Sequence, residues 1–264
     1  MTENFASDCL ARIAAGQPVT DTAQEVSRYL ASDDFRPGGV IATDGGAIVL
    51  DLAVGSQLCN KSLKGLPVDE LAALIDRSMR DAGTAFAFGR YAEPRDLYHT
   101  DIFASGNAPG AERRDLHMGI DLFCTAGTSV HSPLDGVIEV ASNNTAELDY
   151  GPMLIVRHET DNRTPFYILY GHLGLSSIEH LRSGDRIGAG EKLAEIGAAP
   201  ENGNWPPHLH FQLIIDLIDL GADFPGVAYR SQQDMWLALS PSPAVFFPEC
   251  EPGPLDARNA ALPA

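Results

Sequence analysis

Hydrophobic and polar positions follow two different periods along this chain. Before about residue 90 the apolar residues recur at helical spacing. In "TDTAQEVSRYLA", Ala23, Val26, Tyr29 and Leu30 fall on one side of a helix that opens with cap-forming residues. "PVDELAALIDRSMRDAG" is the clearest helix. Pro67 opens it, Val68, Leu71, Leu74, Ile75 and Met79 make one apolar stripe suited to core packing, and Gly83 ends it. "GAIVLDLAVGS" reads as a buried strand bounded by glycines. Beyond residue 90 the texture changes to short β-branched and aromatic runs separated by Gly, Pro, Asn and Asp, an all-β signature. The candidate strands are "HMGIDLFC", "GVIEVAS", "MLIVRHE", "FYILYGHL", "KLAEIG" and "HLHFQLII", with "TDNRTP" as a hairpin turn between the third and fourth. The final stretch, "LSPSPAVFFPECEPGPLDARNAALPA", is proline-rich and is expected to end in a disordered tail. Three zones follow: an α/β region over 1–90 with no recognisable chemistry, a β domain over 91–235, and a proline-rich extension over 236–264.

A chain of 264 residues can bury a core without metal or disulfide staples. Its net charge of −18 argues against binding nucleic acid, where Lys and Arg must neutralise phosphates, and against adhesion to anionic membranes or an anionic cell wall. No apolar run is long enough to span a bilayer. The start, "MTENFASDCLARIAAGQPVTD", lacks the basic opening and apolar core of a secretory signal, so a cytoplasmic location is expected. Cys9, Cys59, Cys124 and Cys250 are scattered without a CxxC, which suits reduced thiols.

Chemistry enters at three of the strand-like segments. Residues two apart on a strand share a face, so His208 and His210 of "HLHF" point one way while Leu209 and Phe211 point the other. In "LHMGIDLF", His117 and Asp121 have even separation, and Gly119 between them carries no side chain to block a common ligand. In "FYILYGHLG", His172 shares parity with Phe166, Ile168 and Tyr170 and sits at the strand end beside a glycine. Each segment alone is weak. Together they offer five polar groups, enough for a metal site of three protein donors plus acid/base groups around a bound water. Cys124 stands an odd step from Asp121 and should face away. His99, His131, His158 and His180 fall outside the constellation, and "HETDN" lacks the second histidine of a zinc helix.

The order of these motifs, with "AGTSVHSPLDGVI", "YGHL" and "GDRIGAGEKLAEIG" between them, resembles the lysostaphin-type zinc metallopeptidases, peptidoglycan-cleaving β-sheet endopeptidases. The resemblance covers roughly residues 112–216. It implies a mainly β fold, an antiparallel β-sandwich or groove with the smaller α/β region in front. It implies Zn²⁺ held by His117, Asp121 and His210, with His172 and His208 flanking the metal-bound water. One of that pair would act as general base or orient the water, and the other would stabilise the oxyanion. The implied substrate is a peptide or amide, peptidoglycan fragments included.

Some features depart from that pattern. "ENGNWPP", with Trp205 and two prolines, replaces the small turn usual before H-x-H. "ERRDL" stands where many members carry a tyrosine, and Tyr98 is distant, which hands transition-state stabilisation to Arg113 or Arg114. "GRYAEPRDLY" followed by this domain resembles the middle portion of long cytosolic proteins that join kinase-like, lysostaphin-type and pyridoxal-phosphate aminotransferase domains. Two alternatives therefore stand beside the peptidase: a non-catalytic metal-binding docking or regulatory module serving a kinase-like or aminotransferase partner, and a metallo-amidase acting on a small metabolite.

Overall fold

In the computed structural model of the chain, which describes residues 11, 19–42, 46–106, 110–247 and 255–256, the β pattern builds one eight-stranded sheet. In chain order its strands are β1 (Ile48–Val49), β2 (Ala87–Gly89), β3 (Ile120–Phe123), β4 (Gly136–Asn144), β5 (Gly151–Glu159), β6 (Pro165–Gly171), β7 (Arg186–Ile187) and β8 (His208–Ile214). Across the sheet they run β1-β2-β3-β8-β6-β5-β4-β7. Only β1 and β2 are parallel; every other neighbouring pair is antiparallel. The mainly β expectation therefore holds. "TDNRTP" does turn β5 into β6, with Glu159 opposite Pro165. "KLAEIG" becomes Lys192–Glu195 and pairs with Ser129–His131 in a separate two-stranded sheet.

Strand β8 is buried on both faces. Leu209, Phe211 and Leu213 go to the core, where the Phe211 ring meets Tyr170, Phe246 and Phe247 at 5.1 to 5.4 Å. Its other face carries His208, His210 and Gln212. Buried polar groups on a central strand must find partners, and that requirement shapes the site.

Among the described residues, four α-helices pack around the sheet: α1 (Val19–Leu30), α2 (Val68–Ala82), the single turn α3 (Leu175–Ile178) and α4 (Gln233–Leu239). Helix α1 buries Val26 fully. Helix α2 buries Leu71, Leu74 and Ile75 from its predicted stripe, each stabilising by about 2 kcal/mol, and ends at Gly83 in the left-handed conformation.

The structure corrects several readings of the pattern. "GAIVLDLAVGS" shrinks to the two residues of β1. Leu50 N–H still bonds the Phe88 carbonyl, but Leu52 N–H is taken by the Glu93 carboxylate, so the ladder ends. "HMGIDLFC" is two strands. Leu116–His117 belongs to a small three-stranded sheet with Glu93–Pro94 and Val227–Ala228, while β3 belongs to the large one. The proline-rich stretch is packed over its described residues. Phe246 and Phe247 are buried, Phe247 lies edge-on to Phe88, and the buried Leu255 accepts the Tyr91 N–H. The expected tail, 248–254 and 257–264, lies outside the described residues. Cys59 and Cys124 are free thiols, and Cys124 sits in the core.

Candidate metal centre

The register of four strands sets up the site. Gly89 on β2, Asp121 on β3, His210 on β8 and Gly171 on β6 lie opposite one another in a row across the sheet. Directly opposed residues share a face, so Asp121 and His210 stand side by side. The glycines at either end make room. A Cβ at Gly89 would lie 2.7 Å from the Arg95 guanidinium, and one at Gly171 would lie 2.8 Å from the Tyr150 ring. His117 arrives from the small sheet across the corner at Met118–Gly119. A Cβ at Gly119 would sit 2.7 Å from His210 Cε1, so the glycine admits the His210 ring itself and not merely a shared ligand.

Three donor atoms meet here. His117 Nε2 and His210 Nδ1 are 3.0 Å apart, and Asp121 Oδ1 lies 3.1 Å from the first and 3.2 Å from the second. Each imidazole has its far nitrogen committed. His117 Nδ1 lies 2.9 Å from the Arg90 carbonyl, which can only accept, so that nitrogen carries the proton. His210 Nε2 donates to Gln212 Oε1 at 2.9 Å. The orientation of Gln212 is set in turn by its amide group, which donates to Ser240 Oγ and the Pro225 carbonyl. In the tautomers that these bonds fix, the facing nitrogens of both rings hold lone pairs, and no proton separates them. Two lone pairs and a carboxylate oxygen in mutual contact call for a cation. A tetrahedral metal with bonds of about 2.0–2.2 Å has donor–donor edges of about 3.3–3.6 Å, close to this triangle. Among the described residues this is the one such His/Cys/Asp/Glu cluster.

His172 and His208 stand beside it, their rings 4.3 Å apart. Their outer nitrogens are fixed likewise, His172 Nδ1 to the Asn202 carbonyl at 2.9 Å and His208 Nδ1 to the Pro206 carbonyl at 2.6 Å. Strand parity fails for His172. Strict alternation would send it with Tyr170 to the core face, but its backbone turns left-handed at φ 64° just beyond β6 and swings the ring to the donor side. The five residues line a cavity of about 280 Å³ together with Arg95, Tyr98, Tyr150 and Trp205. Trp205 of "ENGNWPP" stands edge-on to both His172 and His208. Tyr98, remote in sequence, is on the cavity wall. Arg114 lines it too, over the Phe103 ring, whereas Arg113 is turned to the Thr100 carbonyl and Asp101.

Burial holds the His117 imidazole down to about 4, with Arg95 adding to the effect and Asp121 opposing it. Burial likewise lowers His172 well below the ordinary histidine range and lowers His208, so these rings are neutral at neutral pH. Burial alone would raise the Asp121 carboxyl, yet His117 and Arg95 hold it well below the usual carboxylate range. Since His117 is itself neutral above about pH 4, Arg95 is the cation that keeps Asp121 ionised there.

Residues 115–219 match the profile of Peptidase family M23. That stretch, less than half of the chain, is similar to the M23 peptidases. Among solved structures it is similar to a zinc-containing peptidase from Vibrio cholerae, at 26% identity and TM-score 0.31, over 42% of this chain and 30% of that one. It is also similar to the catalytic domain of the antimicrobial peptidase lysostaphin from Staphylococcus simulans, at 20% identity and TM-score 0.32, over 50% of this chain and 88% of that one. A third is the catalytic domain of the prophage-encoded M23 protein EnpA from Enterococcus faecalis, at 24% identity and TM-score 0.30, over 41% and 75%. No curated protein sequence matches the chain. Within the matched stretch, the pattern does not mark Gln212, although it shares parity with His208 and His210, or Asn202 inside "ENGNWPP". Arg95 and Glu93 precede that stretch and were visible only as part of "GRYAEPRDLY".

Proposed function

We propose that the chain is a zinc-dependent hydrolase cleaving an amide bond, an M23-type metalloendopeptidase with peptidoglycan-type peptides as its substrate class. The observation that carries this reading is the triangle of His117 Nε2, His210 Nδ1 and Asp121 Oδ1 at 3.0 to 3.2 Å with both imidazole protons turned away. Two imidazoles and a carboxylate also suit iron(II). The M23 match, together with two further imidazoles facing the same cavity, favours zinc and hydrolysis. When bound, zinc supplies a Lewis acid that polarises an amide carbonyl and acidifies water.

The chain's own groups do the rest. His172 and His208 offer Nε2 lone pairs to the cavity, because both Nδ1 atoms donate to carbonyls. Either can take a proton from the attacking water and return one to the departing amine. Asp121 Oδ1 is 3.7 Å from His208 Nε2, close enough to favour the imidazolium that proton transfer creates. Trp205 holds both rings from one side and keeps water off that wall. Tyr98, whose phenol is kept un-ionised by burial, lines the same cavity and could donate its hydroxyl to an oxyanion there.

Metal analysis coupled to product analysis tests this reading. Purified protein is expected to bind one zinc per chain, and zinc-loaded protein to release new amine termini from sacculus fragments, oligoglycine or D-amino-acid peptides by mass spectrometry. Asp121→Ala is expected to bind none. Full zinc in the Asp121→Ala protein would sink the ligand assignment. Zinc-loaded wild type that leaves every amide intact would sink the hydrolase and leave a metal-binding module.

A further inference from the structure

The segment Gly89–Arg95, "GRYAEPR", precedes the M23 match, yet it wraps two of the three metal donors. Arg95 is 3% exposed and makes four contacts. Its Nη1 donates to Asp121 Oδ2 at 2.5 Å and more loosely to the Tyr98 hydroxyl at 3.5 Å, its Nε to Glu93 Oε2 at 2.9 Å, and its Nη2 to the Arg90 carbonyl at 3.3 Å. That same Arg90 carbonyl accepts the His117 Nδ1 proton. Glu93, wholly buried, lies opposite His117 in the small sheet. It receives donors only: Arg95, the Leu52 N–H at 3.1 Å and Arg90 Nη1 at 3.4 Å. Gly89, opposite Asp121, leaves the space that the guanidinium fills.

We propose that Arg95 is a positioning residue for the metal. By occupying Oδ2 of Asp121 it leaves Oδ1 as the single oxygen offered to the cation, and Glu93 and the Arg90 carbonyl hold the guanidinium at that angle. The inference rests on the zinc reading above. One general rule and two observations separate this from an ordinary structural ion pair. A buried ion pair is a poor way to add stability, since an apolar pair of similar volume commonly does as well. Glu93 offsets the Arg95 charge, so the pair gives Asp121 a direction without changing the net charge around the metal. The Arg90 carbonyl couples the guanidinium to His117, so one backbone oxygen fixes the orientation of two donors. Outer partners of this kind set ligand geometry and affinity in metal sites generally.

The test uses the full chain as wild type, Arg95→Met/Glu93→Gln and Gly89→Ala. The double variant removes both charges together, so neither is left buried alone. Gly89→Ala keeps every charge and pushes the guanidinium with a methyl group 2.7 Å from Nη2. Each protein is titrated with zinc against a chromophoric chelator and then loaded with cobalt(II) for its visible spectrum. The double variant is expected to bind zinc roughly ten- to a hundred-fold more weakly. Its cobalt band should weaken as Asp121 becomes free to offer both oxygens and raise the coordination number. Gly89→Ala is expected to shift both readouts in the same direction. A double variant matching wild type in affinity and cobalt spectrum overturns the proposal. Should the double variant fail to fold, Gly89→Ala decides alone, and identity with wild type in both readouts overturns it. If wild type itself binds neither metal, the zinc reading fails first.

Discussion

Replacing Gly119 with alanine is the smallest change that should disable the site. The backbone there lies outside the left-handed region, so the cost is steric. The new methyl would lie 2.7 Å from His210 Cε1, 2.8 Å from His210 Nε2 and 2.9 Å from the Phe211 carbonyl oxygen. Comfortable carbon contacts begin at about 3.5 Å, so something must retreat by roughly 0.7 Å or more. The Phe211 carbonyl cannot, because Phe211 sits in the central strand opposite Ile120. The His210 ring must therefore move, and metal bonds tolerate only about 0.2 Å. Overpacking of this kind costs about 1–3 kcal/mol, which a domain stable by about 5–15 kcal/mol survives. Zinc affinity should fall by at least on the order of a hundred-fold, beyond what losing an outer partner does. Zinc competition measures the second effect. Urea unfolding in the presence of a chelator measures the first without the added stability that bound metal confers. A Gly119→Ala protein with wild-type zinc affinity would refute the claim that His210 needs this glycine, whatever happened to its stability.

His172→Ala and His208→Ala should each keep one zinc while amide hydrolysis falls by about a hundred-fold or more; loss of zinc from either would move that imidazole into the ligand set. His158 is buried and is not among the residues that line the cavity; its Nδ1 is on the Asp135 carbonyl, and burial holds it at about 4 against an unfolded value of 6.5. The unfolded chain binds the extra proton between those values, so stability should fall by about 3 kcal/mol as pH drops from about 6.5 to about 4. His158→Asn keeps a donor but cannot titrate, and a gap between it and wild type that stays constant across that pH range in urea melts would contradict the assignment. Phe247→Ala should cost about 3–5 kcal/mol by the same assay, since the ring packs on Phe88 and Phe211; a change near zero would mean that the C-terminal stretch is dispensable to the core.

The elements that the pattern predicted well are those with a simple burial pattern. Helix α2 shows a stripe because one face alone meets the core. The strands β5, β6 and β8 show as nearly continuous buried runs because they lie in the middle of the sheet. Prediction failed where a tertiary partner took over a local rule. The strand through Asp121 breaks at Met118–Gly119 because the Met118 N–H goes to the Gly226 carbonyl and the His210 ring passes over Gly119. The "GAIVLDLAVGS" strand ends early because a side chain, Glu93, takes the Leu52 N–H. Phe246 and Phe247 pack into the core from within a proline-rich stretch, because composition says nothing about what a pair of aromatic rings can reach.

For the site the division has a chemical cause. His117, Asp121, His172, His208 and His210 could be picked out because imidazole and carboxylate are scarce groups and three short motifs concentrate them. What orients them could not be. Three of the four imidazoles are fixed by backbone carbonyls, those of Arg90, Asn202 and Pro206, and every residue type supplies a carbonyl. A sequence therefore carries no mark of them. Only the anchor of His210 is a side chain, Gln212, and it alone had a readable position, two residues further along the same strand face. The same reasoning explains the misplaced parity of His172. Alternation assigns faces within a strand, and His172 lies one residue past the end of β6, where its φ of 64° reverses the face. The donors of this site are thus written in its residue types, whereas their directions are written in backbone geometry. Substitutions that disturb geometry alone, at Gly119 or Gly89, are accordingly the sharpest tests of whether the donors work as a unit.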